Sequence, residues 1–169
     1  MKKDFVLAPI GEAALLVIAG AAGWFSHQPM LFASLGPTAY ELIETPHRRS
    51  AKPYSILVGH AAAVATGFMA IYGTGAVHVA PVSSAGVPAP RIWAAAVAAL
   101  VTVLITLLLR ASQPAALSTT LLVSLGILQK PIDAAVILIA VVLMVLFGEP
   151  VRAYRLRHDP EKQKKAPSE

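Results

Sequence analysis

Apolar residues gather in four long runs, separated by two shorter segments of mixed character. "IWAAAVAALVTVLITLLL" (92–109) carries no charge. At about 1.5 Å per helical residue it is long enough to cross a hydrocarbon layer of roughly 30 Å. "YSILVGHAAAVATGFMAIYGTGAV" (54–77) crosses with one histidine inside it, and "AAVILIAVVLMVLF" (134–147) becomes a span once its flanks are added. The first run, from about Phe5 to Phe25, holds Pro9 and Glu12. The pattern predicts four long transmembrane helices.

The two remaining segments fit neither a span nor a loop. "LFASLGPTAYELI" (31–43) and "RASQPAALSTTLLVSLG" (110–126) are each interrupted by Pro or Gly. Each follows a long span and precedes a Lys-Pro pair and another span. Ala33-Ser34 corresponds to Ala111-Ser112 and Lys52-Pro53 to Lys130-Pro131, both at an offset of 78, while Pro37 and Pro114 differ by 77. The shared order predicts an internal duplication; chance similarity among small-residue helices is the alternative. The expected units are 1–77 and 91–150, separated by a Pro-rich extracytoplasmic loop at 78–90 and followed by a basic cytoplasmic tail at 151–169.

Composition agrees with a membrane protein. Of 169 residues, 56% are hydrophobic and 14% charged, with a mean hydropathy of +0.66, whereas soluble domains carry nearer a quarter charged residues. The net charge of +5 does not point to nucleic acid, because most Lys and Arg flank apolar runs, where they set orientation. Without cysteine there is no disulfide framework and no thiolate metal site. Met1 to Gly23 imitates a secretory signal, but Asp4 and Glu12 interrupt it, so a retained helix is expected.

Positive charge also counts the passages. If only four helices cross, "HRRSAK" (47–52) falls on the opposite face from Lys2, Lys3 and the tail. If the broken segments cross too, all of these and Arg110 share one face, and only Arg91 and Lys130 lie opposite. The second arrangement obeys the positive-inside rule, places both termini in the cytoplasm, and makes the two halves inverted. The tail beyond Tyr154 is expected to be solvated.

Irregular chain at membrane depth survives only against protein or a wet cavity. Each broken segment therefore reads as a short helix beginning near Pro37 or Pro114, since proline costs nothing in a first turn. Ser34 and Ser112 stand ready to cap the free amides. In an inverted repeat the two N-termini can meet near the midplane and favour a small anion. The candidate binding residues are Ser34, Gly36, Pro37, Thr38, Ser112, Gln113, Pro114, Ser118 and Thr119. His60, Glu41 and Arg110 are candidates for proton or charge coupling, because ionisable groups inside spans are costly and commonly functional. The plainer alternative is close helix packing, with the hydroxyls bonding across the contact. Glu12, Asp133 and Glu149 are expected at span ends. Trp24, Trp93, Tyr54 and Tyr154 also fall there, as in an aromatic belt. No catalytic motif is present, and no two of the five histidines have helical ligand spacing, so neither an enzyme nor a metal or other cofactor is expected.

At these residues the chain resembles the HPP family of small integral membrane proteins. "FASLGPTAYELIETP" followed by "AKPYSILVGHAAAVATG" is similar to that family's Ala-Ser-x-Gly and short apolar run, its Pro-containing linker and its Gly-His, here Gly59-His60. Where the family carries the His-Pro-Pro that names it, this chain has Ser112-Gln113-Pro114. The resemblance covers roughly residues 10–150 and implies four transmembrane helices, to which the charge pattern adds two broken ones. Chloroplast and related members are implicated in nitrite transport, so the resemblance implies a small-anion transporter. Loss of the family histidine leaves substrate and proton coupling open.

The expectation is an all-α polytopic bundle of four long and two short broken or re-entrant-like helices, built as an inverted repeat and residing in a cell membrane (the inner membrane if bacterial). Its partners would be the lipid bilayer, a small inorganic anion and further copies of itself in a homo-oligomer. A scaffold or regulatory subunit without a pathway is the runner-up, and an intramembrane enzyme is a weaker third.

Overall fold

The computed structural model describes residues 2–158. Among the described residues there are helices and no strand, in the order α1 (Lys2–Ser26), α2 (Leu35–Ile43), α3 (Pro53–Gly73), α4 (Val82–Ala85), α5 (Ala89–Leu108), α6 (Pro114–Ser124) and α7 (Pro131–His158). The long helices α1, α3, α5 and α7 supply four candidate spans by length and composition. The two broken segments became the short helices α2 and α6.

Local chemistry sets these boundaries. Pro53, Pro114 and Pro131 each open their helix, where the missing N–H is not needed. The Asp133 carboxylate reaches back to accept from Lys130 N at 2.7 Å, so Asp133 caps α7 instead of simply facing the interface. Helices α1, α5 and α6 end in left-handed turns at His27, Arg110 and Gly126. In each, the next amide folds back onto a carbonyl of the last turn: Gln28 N on Gly23 O, Ala111 N on Thr106 O, Ile127 N on Leu122 O. These bonds satisfy carbonyls that no continuing helix would reach.

Small residues then let helices approach. Ala94, Ala98, Thr102 and Thr106, spaced four apart on α5, are all buried, whereas Leu100, Leu104, Leu107 and Leu108 are exposed. Lipid offers leucine as good a partner as protein does, so close backbone packing decides which face turns inward. On α3, a Cβ added to Gly59 would lie 2.8 Å from Gln113 Cβ, and one on Gly67 would lie 2.8 Å from Val123 Cβ. These contacts fix α6 alongside α3, running parallel to it.

Each half interlocks with the other. The main helix pairs are α1 with α2 and α7, α5 with α6 and α3, α2 with α7, α6 with α3, α2 with α6, and α3 with α7. Exchanging α1 with α5, α2 with α6 and α3 with α7 leaves this set unchanged. Thus 1–77 and 91–150 are not separate globules; the third helix of each packs against the first two of the other.

Charged groups sort to the two ends. Tyr54 Oη donates to Leu109 O at 3.1 Å and Arg152 Nε to Pro46 O at 2.9 Å, which gathers the 47–52 loop, Arg110 and the end of α7 together. Arg91 and Lys130 lie at the other end. The chain passes between these ends six times, four times by a long helix and twice by a short helix completed with irregular backbone. The tail differs from expectation: α7 continues through Pro150 to His158, because Arg152 is buried, bonds Pro46 and pairs with Glu149 at 2.7 Å. The remaining tail, 159–169, and the side chains of residues 2–7 lie outside the described residues. The 78–90 loop holds α4 and the start of α5 and is tied back by Val82 N on Leu125 O at 3.1 Å.

Candidate functional site

Helix α2 and helix α6 cross at the centre of the bundle against α3. Thr119 Oγ1 donates to Ser34 Oγ at 2.8 Å, while at the other end of the crossing Glu41 lies beside Gln113. The short helices therefore run antiparallel and side by side. Their N-termini do not face each other at the midplane, because the two helices overlap along their length: the start of α2 lies beside Thr119 within α6, and the start of α6 lies beside Glu41 near the end of α2.

His60 fills the angle between them. Its Nδ1 lies 2.8 Å from Thr119 Oγ1 and its Nε2 lies 3.1 Å from Thr38 Oγ1. Thr38 Oγ1 also reaches Ser34 O at 2.9 Å, which closes a ring through Ser34, Thr38, His60 and Thr119. All four are fully buried. Buried polar groups demand partners, and here the two broken helices supply both of the histidine's. Sequence spacing allows this: Ser34 and Thr38 are one turn apart on α2, and Gly59 lets α6 come close enough for Thr119 to reach the neighbouring His60.

A second knot lies beyond it. Thr66 Oγ1 bonds Thr102 Oγ1 at 2.5 Å and Thr102 Oγ1 bonds Thr120 Oγ1 at 3.0 Å, tying α3, α5 and α6. Farther along, the fully buried Arg91 donates Nη1 to Ser124 O at 3.2 Å, and Nη2 to Val79 O and Gln129 Oε1, both at 2.6 Å. No carboxylate is among these partners. The guanidinium instead meets the carbonyl end of α6, where a cation is favoured by the helix dipole. Gly126, at φ +85°, leaves room for it, since a Cβ there would lie 2.6 Å from Arg91 Cζ. A polar seam thus follows α6 from Gln113 through Thr119, Thr120 and Ser124 to Arg91.

The expected site residues divide around this seam. Ser34, Thr38, Thr119, His60, Gln113 and Glu41 are buried and come together. Gly36 and Ser118 are half-buried, and Pro37, Ser112, Pro114 and Arg110 are exposed. The cap of α6 is Gln113, not Ser112: Gln113 has the extended backbone a cap requires, and its Oε1 accepts from Ala115 N at 2.6 Å. Ser34 has helical backbone angles and makes no cap bond, so its hydroxyl is free for Thr119. Glu41 sits near Ser50 and Gln113, but Glu41 Oε2 and Gln113 Nε2 each lack a hydrogen bond, near enough to interact without the alignment of a bond. Arg110 occupies the left-handed turn after α5 and forms no ion pair with Glu41 among the described residues.

Sequence reasoning missed Thr66, Thr102, Thr120 and Arg91. The four-residue spacing of Thr102 and Thr106 in an otherwise apolar helix was the available signal for part of the knot. Arg91 read only as a charge on the face opposite the other basic groups, and no local pattern marks its partners, which lie on other segments. Among the described residues, no group of three or more His, Cys, Asp or Glu is placed to hold a metal.

No curated protein and no solved structure matches this chain. The family described as HPP, transmembrane region, matches residues 2–158, the whole of the bundle built around this seam, and the chain is a membrane protein belonging to that family.

Proposed function

We propose that the chain moves a small inorganic anion across the membrane, with nitrite the candidate implied by its family. The observation that carries this reading is the uncharged cluster of three hydroxyl side chains and one imidazole, fully buried where two broken helices cross. Such groups donate hydrogen bonds to an anion without binding it too tightly to release. Polar groups held inside a membrane protein against their desolvation cost commonly mark a pathway. The seam along α6 extends the same chemistry toward Arg91.

The exchange of helix pairs between the halves supports reading the fold as an inverted repeat, the architecture in which transporters place substrate at the crossing of discontinuous helices. The sorting of charge supports cytoplasmic termini in a cell membrane. A thin bundle of this size fits a homo-oligomer.

One observation favours the scaffold reading: the ring of Ser34, Thr38, His60 and Thr119 closes on itself, as a packing device would. Flux separates the two. Proteoliposomes bearing the purified protein should take up nitrite above empty vesicles, in comparison with nitrate, formate and chloride. Uptake should weaken in Thr119→Val. Folded protein with no uptake of any of these anions removes the transport reading.

A further inference from the structure

We propose that His60 binds a proton together with the anion, so that the protein carries the two as a neutral pair. This inference rests on the transport reading and names the coupling within the same site.

The geometry of the ring carries it. Thr119 spends its hydroxyl proton on Ser34 Oγ at 2.8 Å, so its oxygen is left to accept from His60 Nδ1–H at 2.8 Å. Thr38 has a choice. Its hydroxyl can point to His60 Nε2 at 3.1 Å or to Ser34 O at 2.9 Å. In the first setting Nε2 is an acceptor and the ring is neutral. In the second, the Thr38 oxygen accepts from Nε2–H and the ring is an imidazolium. One hydroxyl rotation therefore lets the site accommodate either protonation state, and the imidazole keeps both partners in each. A histidine held only for packing needs one tautomer and one set of partners.

The proton balance is simple. An incoming proton binds Thr38 Oγ1 as the proton already there passes to Nε2. Thr38 then turns its new proton to the Ser34 carbonyl. No bond is left broken and one positive charge is gained. The ionisable groups of α2 are Tyr40, which is exposed, and Glu41, which lies one turn along from Thr38. Helix α6 carries none. Arg91 lies at the far end of α5, and Asp133 lies toward one end of α7, with Glu149 and Arg152 toward the other. Among the described residues no carboxylate bonds or pairs with His60, whose ring partners are Thr38 and Thr119 alone.

That absence sets the coupling. A buried cation without a counter-charge is costly, and so is a buried anion. Each relieves the other, so binding of one raises affinity for the other, reciprocally. The pair that loads together is electrically neutral.

The test uses full-length protein in lipid nanodiscs and in proteoliposomes, with sodium nitrite as the probe. Histidine nitrogen-15 NMR, with the His60 signals identified by their loss in His60→Gln, reads the ring directly. The expected result is a neutral ring protonated at Nδ1 without nitrite and an imidazolium with it. Thr38→Val should abolish that change and Thr38→Ser should retain it. In vesicles, nitrite accumulation should shift less than about 2-fold when an interior-negative potential is imposed, whereas a bare anion would fall roughly 50-fold for about 100 mV. A ring that stays neutral in saturating nitrite, or accumulation that follows the potential, overturns the proposal. If nitrite protonates His60 while no flux occurs, linked binding stands and the transport reading fails; if neither occurs, both fail.

Discussion

Ser34 and Thr119 lie 85 positions apart, one on each broken helix, and their hydroxyls meet at 2.8 Å in full burial. This contact joins the two halves through polar atoms at the centre of the bundle. Thr119→Val should therefore strand both the Ser34 hydroxyl and His60 Nδ1–H, costing about 1–3 kcal/mol. Ser34→Ala leaves Thr119 free to turn its proton elsewhere and should cost less. A double-mutant cycle on thermal unfolding in detergent checks the coupling; additive effects would mean that the two hydroxyls do not act together.

The guanidinium of Arg91 is held by three acceptors from segments that are distant in sequence, with Gly126 beneath it. Arg91→Lys keeps the charge but cannot span Ser124, Val79 and Gln129 together, so it should destabilise almost as much as Arg91→Met. Gly126→Ala meets both a positive φ and the guanidinium, and should cost more than about 1 kcal/mol. Unfolding midpoints of the three variants, compared with wild type, decide this. A neutral Gly126→Ala would show that the Arg91 seat is loose.

Much of this bundle was legible because membrane chemistry is written locally. Long apolar runs, a proline opening α6 and the Lys-Pro pairs opening α3 and α7 each depend on neighbours in sequence. The sorting of Arg91 and Lys130 away from the other basic groups was likewise readable from loop charges. The crossing of α2 and α6 was not, because it depends on which third helix each short helix runs beside. Gln113 replaced Ser112 as the cap because backbone angles, not side-chain chemistry alone, choose the capping residue. Arg152 drew the end of α7 into the fold through Pro46, a partner 106 positions away.

Gly67 is a sharp test of the α3–α6 contact, since its added Cβ would sit 2.8 Å from Val123 Cβ. Gly67→Ala should destabilise by about 1–3 kcal/mol through overpacking. Val123→Ala opens a gap at the same place and should also destabilise alone. Combined, the two changes exchange volume across one contact, and the double variant should recover part of the loss. Equal or worse stability in the double variant would place the strain elsewhere, for instance in the backbone approach to Thr120.

Six passages predict where added cysteines are reachable. Arg49 is exposed at the end that gathers the basic groups, and Ser84 is exposed in the loop at the Arg91 end. Ser50 is less suitable, being half-buried beside Glu41. The chain has no cysteine of its own, so Arg49→Cys and Ser84→Cys each give a single label site. In intact cells an impermeant thiol reagent should reach position 84 and should reach position 49 only after the membrane is opened. The positive-inside rule requires that direction. Positions 49 and 84 are opposite in either arrangement, because α3 alone separates them. A four-passage chain with re-entrant short helices would instead carry the 47–52 loop to the face opposite the end of α7. Labelling of position 49 from the face opposite a cysteine placed at the exposed Arg157, near the end of α7, would therefore overturn the six-passage arrangement, and with it the inverted relation between the halves.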